Sequence, residues 1–273
     1  RDYYASRGLG DVYKRQTESY RDNIDITVET IYARQKNENF KTSLPRPQDI
    51  EDVYSAIARQ GYTHVIVLMI AECLSSANNL MRLAAEEHPE LTVKVFDSKS
   101  ASIGLGALAV QVARYAVRGV AFDPLCELTK RLIDDTVVYF SLDTLEYLQR
   151  GGRIGRATAL AGGLLQIKPI LTFDRKDGMI STAAKVRGRR GVQQRLIELA
   201  TELAAKHPGE EYNLVVCDGN VPEEGAALEA ALTRALPNAH RVLHGKIDAT
   251  LAVHLGPNLL GVGVQFLNSK LPA

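Results

Sequence analysis

Val65, Ile66, Val67, Leu68, Met69 and Ile70 form an unbroken aliphatic run between Gly61 and the polar Glu72. A strand with one face in water alternates apolar and polar residues, whereas one that is apolar throughout must be covered on both faces. The run therefore calls for a parallel sheet packed between helices. Residues 91–96 supply a second strand of this kind, and residues 75–87 between them read as a helix. Residues 103–118 read as another, with Leu105, Leu108, Val112 and Tyr115 at steps of three and four and Gly119 where a helix C-terminus favours glycine. This βαβα order predicts helices on both faces of a parallel sheet.

Elsewhere the spacing predicts helices over 27–36 and 48–60, a proline-bearing loop over 41–47, a helix from Pro124 through Leu132 and a strand over 137–142. A glycine-punctuated stretch, 151–163, precedes a strand at 167–173. Asp174 to Gly178 then form a turn into residues 179–183, which reads as an antiparallel hairpin. A helix over 192–206, a strand over 213–217, a helix over 222–235 and strands over 240–243 and 260–266 complete the pattern. The change from parallel to mixed pairing predicts two α/β domains. Residues 17–150 are expected to form an N-terminal parallel α/β/α sheet domain, and residues 151–273 a C-terminal α/β domain with a mixed sheet. Residues 1–16 follow neither period and hold Arg1, Arg7, Lys14 and Arg15 against Asp2 and Asp11. They read as a non-native or disordered segment, similar to translated adapter sequence.

Composition narrows the classes of function. The 273 residues hold 33 Lys+Arg against 32 Asp+Glu, a net charge of +1, with 45% hydrophobic residues. That balance excludes a disordered chain and disfavours a general nucleic-acid coat. Cys73, Cys126 and Cys217 are far apart and lack metal-ligand spacing, so neither a disulfide framework nor a zinc module is expected, and a reducing cytoplasm is the default. No apolar run approaches the roughly 20 residues that cross a bilayer, and no secretion signal opens the chain.

Motifs for common chemistries are absent: there is no P-loop, no H-E-x-x-H and no G-x-S-x-G. Gly104, Gly106 and Ala109 match G-x-G-x-x-A, but no acidic residue follows at the ribose-binding distance, so close helix-to-sheet packing is the better reading. His64, His88, His207, His240 and His244 stand singly. His254 differs, since it directly precedes the turn Gly256-Pro257; a loop-borne imidazole there can point into a cleft and donate to an anion, or it can cap a helix. Thr42 and Ser43, beside a proline-stiffened loop, and Ser75 and Ser76, after the first aliphatic strand, can likewise cap helices or converge on one carboxylate. Arg153, Arg156, Lys185, Arg187, Arg189 and Arg190 form a basic cluster. It reads as a solvated rim or as a face for an acidic or phosphate-carrying partner, and not as a nucleic-acid surface, because no aromatics are interleaved.

Several stretches coincide with one family: Phe96-Asp97-Ser98-Lys99-Ser100-Ala101-Ser102, Leu145-Glu146-Tyr147-Leu148-Gln149-Arg150-Gly151-Gly152-Arg153-Ile154, Ile167-Lys168-Pro169-Ile170-Leu171, Lys185-Val186-Arg187-Gly188, and Thr42-Ser43 with its prolines. Over residues 18–268 the chain resembles the DegV family of bacterial fatty-acid-binding proteins. The resemblance implies a two-domain carrier, with no catalytic residues and no cofactor, that holds one long-chain fatty acid in an apolar tunnel. A separate ATP-dependent fatty-acid kinase would phosphorylate the bound carboxylate and feed phospholipid synthesis.

By the same resemblance Thr42, Ser43, Ser75 and His254 hold the carboxylate, and Arg153, Lys185 and Arg187 face the kinase. Membrane contact would be limited to transient association with the surface. Ala71-Glu72-Cys73 and Ser76-Ala77-Asn78 depart from the family's small polar residues, and a carboxylate at Glu72 can repel the ligand. The family's opening strands have no counterpart before Tyr20-Arg21-Asp22, so the N-terminal domain is expected to be truncated. Two other readings are a phosphotransfer subunit akin to dihydroxyacetone kinases, with His254 as a covalent anchor and a hydrophilic pocket, and a regulatory protein that works through the basic cluster.

Overall fold

The computed structural model describes residues 11–14, 18–22, 24–160 and 167–267. The unbroken aliphatic run becomes β4 (His64–Met69), paired in parallel with β5 (Thr92–Asp97). Its two faces are covered as the sequence requires. Val65, Val67 and Val93 pack on Ile50, Tyr54 and Ile57 of α2 (Pro47–Arg59) and on residues of α3 (Ala77–Glu86). Ile66 and Leu68 point the other way, into Leu108, Val112 and Tyr115 of α4 (Ile103–Val117) and Leu125, Leu128 and Leu132 of α5 (Phe122–Asp134).

A six-stranded mixed sheet forms the second layer system. It is built from β6 (Thr136–Ser141), β7 (Ile167–Phe173), β8 (Ile180–Arg187), β9 (Tyr212–Asp218), β10 (Arg241–Lys246) and β11 (Leu260–Phe266), in the order β10-β9-β11-β6-β7-β8. Only β9 and β10 run parallel; the other neighbours are antiparallel, including the expected β7–β8 hairpin. One face is packed by Val192, Leu196 and Ala200 of α7 (Gly188–Ala205) and by Leu228 and Leu232 of α8 (Pro222–Ala235). The other receives α4, whose Ile103 and Ala107 lie with Val138, Phe140 and Val215. Gly104 allows that approach, since a Cβ would lie 2.9 Å from Val138, while Gly106 faces open space. The G-x-G-x-x-A spacing thus carries one close-packing glycine.

Four features differ from the sequence reading. β6 lies on the N-terminal side of the boundary expected at 150/151, yet it is a central strand of the mixed sheet, because its two edges pair with β11 and β7. Thr42 and Ser43 end a strand, β3 (Phe40–Ser43), instead of sitting in a loop. Within the first sixteen residues, 1–10 and 15–16 lie outside the described residues, but Asp11–Lys14 form β1, antiparallel to both β3 and β2 (Glu18–Arg21). Its place as the middle strand depends on main-chain pairing at both edges, which leaves no mark in side-chain periodicity. Residues 161–163 of the glycine-punctuated stretch also lie outside the described residues, and Gly155–Leu160 before them form a 3-10 turn.

The fourth concerns His254: of its two readings, a loop-borne imidazole or one at a helix end, the structure has the second, in the last turn of α9 (Ala249–Leu255). Seven residues are too few to hold a helix by propensity alone. Carboxylates at its start supply the missing partners: Asp248 accepts from the Leu251 N–H at 2.7 Å, and Asp22 accepts from Ala249 and Thr250 at 3.1 Å each. Gly256 ends it at φ +70°, ψ 178°, with its α-carbon against the Tyr147 ring. Short helices α1 (Val28–Arg34) and α6 (Glu146–Arg150) pack against it.

That backbone region is open to glycine alone, and a Cβ at this position would also enter the Tyr147 ring. Gly256→Ala is therefore expected to destabilise the protein by about 2–4 kcal/mol. Urea unfolding measures it, and a midpoint equal to that of the wild type would contradict the assignment.

Candidate functional site

A cavity of about 1590 Å³ runs along β4, between α2 and α4, and ends against the mixed sheet and α9. It exceeds the roughly 300–1,000 Å³ typical of small-molecule sites. Most of its wall is apolar: Ile50, Val53 and Ile57 from α2, Val65, Val67 and Met69 from β4, Leu105, Ala109 and Val112 from α4, and Phe140 and Phe173 from the mixed sheet.

Polar groups gather where β3, α9 and the start of α3 meet. Phe40 and Thr42 share one face of β3, which brings the half-buried Thr42 under α9. Thr42 Oγ1 lies 2.8 Å from His254 Nε2. His254 Nδ1 is buried without a hydrogen-bond partner, and a Cβ on Gly151 would collide with it. Burial pulls the His254 pKa down to about 4, and the charge of Arg153 adds to the effect, so the imidazole is neutral at physiological pH. An N–H stranded at Nδ1 is costlier than a bare lone pair, which favours the tautomer with its proton on Nε2. In that tautomer Nε2 donates to Thr42, and the Thr42 hydroxyl is left to donate into the cavity.

All four residues expected at a carboxylate, Thr42, Ser43, Ser75 and His254, line this cavity. Ser75 also works as a local cap, its Oγ accepting from the Ala77 N–H at 3.3 Å. Ser43 is exposed at the end of β3. Lys185 and Arg187 occupy exposed positions of β8, an edge strand of the mixed sheet, and do not line the cavity.

Arg153, expected with those two to face a kinase, lines the cavity. Its Nε donates to the Leu74 carbonyl at 3.1 Å and its Nη1 to the Gly151 carbonyl at 2.6 Å, because the turn after α6 carries it back over the loop before α3. Glu72, the carboxylate expected to repel a ligand, is exposed and paired with Arg82.

Asp22 and Asp248 escaped the sequence reading and also line the cavity. Burial, reinforced by the charge of Asp22, pushes the Asp248 carboxyl up to about 6. These acids stand at the start of α9, about 9 Å along the helix from His254. No periodicity marks them, since their role at the helix start appears only when residues 22 and 248 are brought together.

Residues 14–267 match the family described as "Uncharacterised protein, DegV family". A DegV domain-containing protein of Clostridium acetobutylicum is 33% identical over 252 residues, 92% of this chain and 87% of its own length. One of Clostridium perfringens is 33% identical over 254 residues, 93% of this chain and 88% of its own. Among solved structures, a fatty-acid-binding DegV family protein from Thermus thermophilus superposes with a TM-score of 0.87 at 29% identity, covering 94% of this chain and 90% of that one. A stearic acid-binding protein from Eubacterium ventriosum gives 0.86 at 27% identity, covering 95% and 90%.

The buried His88 and the half-buried His254 are expected to titrate in opposite directions. Hydrogen bonding to Glu90 raises the pKa of His88, with Glu51 assisting, so its stabilising contribution is present below about 6.5 and fades as pH rises through the raised value. His254 contributes above about 6.5, and that contribution is lost as pH falls toward 4. NMR titration of the imidazole Cε1–H signals should place the His254 midpoint near 4 and the His88 midpoint above 6.5. A His254 midpoint at 6.5 or higher removes the neutral imidazole from this account.

Proposed function

The chain belongs to the DegV family, and we propose that it binds a single long-chain fatty acid, with the acyl tail along β4 and the carboxylate at Thr42 and His254. The reading rests on one observation above others: a long apolar cavity with hydroxyls, a neutral imidazole and a cation gathered at one end. Burial of about fourteen methylenes at about 0.8 kcal/mol each contributes on the order of 11 kcal/mol before ordering costs. The carboxylate gives up water and needs donors in return, and the hydroxyls of Thr42, Ser43 and Ser75 stand at that end.

The protein acts as a carrier in the cytoplasm. Its bound carboxylate is the acceptor for an ATP-dependent fatty-acid kinase, which transfers the γ-phosphoryl group to a carboxylate oxygen and leaves ADP. Lys185 and Arg187, on one face of β8, form the docking patch for that kinase. A dihydroxyacetone-kinase-like role for His254 as a covalent anchor fits poorly, because Nε2 is engaged by Thr42 and Nδ1 is closed off by Gly151.

Native mass spectrometry of the purified protein should reveal one bound fatty acid of about C14 to C18, released on denaturation. His254→Ala and Thr42→Val are expected to weaken fatty-acid binding by about 10–100-fold without loss of fold. Lys185→Glu combined with Arg187→Glu should leave binding intact and abolish most kinase-dependent acyl-phosphate formation. Full binding by His254→Ala would refute the carboxylate site.

A further inference from the structure

We propose that Arg153 is the charge-selecting residue of the cavity, the group that makes it take a carboxylate in preference to an uncharged head of the same length. The inference rests on the fatty-acid reading above and names what decides its specificity.

In the empty cavity the other groups at the head carry no counter-charge: Thr42, Ser43 and Ser75 are neutral, and burial favours the neutral form of His254. A carboxylate moved out of water among hydroxyls alone keeps a penalty of several kcal/mol unless a cation stands nearby. Two cations line the cavity, Arg153 and Lys246. Lys246 belongs to the acidic start of α9, two residues from Asp248 and close enough to Glu29 to lower its pKa.

Arg153 stands at the other end. The Leu74 and Gly151 carbonyls fix its guanidinium between the loop that presents Ser75 and the loop that abuts His254. Among the described residues it forms no ion pair, and its Nη2 makes no hydrogen bond. A half-buried guanidinium pinned by neutral carbonyls keeps its full charge and a free edge of donors, a geometry suited to a carboxylate. The same charge adds to the lowering of the His254 pKa, as a guanidinium standing near the imidazole would.

The test compares stearate with octadecanol, each displacing an uncharged fluorescent probe from the full-length wild type, Arg153→Gln and Arg153→Lys. The wild type should favour stearate. Arg153→Gln should lose about 10–100-fold in stearate affinity while octadecanol binding stays within twofold, and its His254 NMR midpoint should rise. Arg153→Lys keeps the charge without the fork, so it should retain a preference for stearate. An unchanged stearate-to-octadecanol ratio in Arg153→Gln overturns the proposal, as does an equal loss of preference in both variants, which would assign the effect to shape. A wild type that binds neither ligand overturns the fatty-acid reading itself, whereas one that binds both equally leaves that reading standing and removes only the role of Arg153.

Discussion

Helix α4 is shared by two sheets, and most of the architecture follows from that sharing. Ile103 and Ala107 lie on the mixed sheet, Leu108, Val112 and Tyr115 lie on α5 and the back of β4, and Leu105 and Ala109 line the cavity. The first three turns of α4 carry no charged residue, and its basic residues, Arg114 and Arg118, fall at its C-terminal end, where they suit the helix dipole. The cavity lies between these contacts, lined by α4 on one side and by α2 and β4 on the other.

The polar end follows a different logic. Neutral donors can be placed near an apolar cavity at little cost when they are paired, as Thr42 and His254 are, but a cation there needs an anchor that does not cancel its charge. Backbone carbonyls meet that condition, since they bind the guanidinium and leave its charge uncompensated. The acidic residues that touch α9 are at its other end, where Asp248, just before it, and Asp22, from the segment after β2, hold the first turn. Helix α9 thus separates its acids from its histidine by its own length.

The sequence was informative wherever a side-chain period carried the structure. The unbroken run at 65–70 implied two covered faces, and the packing of Val65 and Val67 on one side and Ile66 and Leu68 on the other is the form this takes. The strand at 260–266 was legible for the same reason, and the hairpin at 174–178 from its turn residues. Local periods could not reveal pairing between distant main chains. β6 reads like any buried strand, and only its partners assign it to the mixed sheet; β1 depends wholly on its neighbours. At the site, hydroxyls and a histidine could be picked out as residue types, but α9 was missed because its start is held by residue 22. Arg153 looked like its exposed neighbours in composition, and only the backtracking turn after α6 brings it inside.

The partners at the head of the cavity are far apart along the chain. Thr42 and His254 are separated by 212 residues, and Asp22 and Ala249 by 227. Each pairing closes a loop nearly as long as the whole protein, whereas β7–β8 and the β4–α3–β5 unit close within a few dozen residues. Long-range contacts of this kind form late, because the loop entropy must be lost before they return any energy. The head of the cavity is thus closed by the contacts of longest sequence separation, so it takes shape only once the chain segments at both ends of the protein have come together.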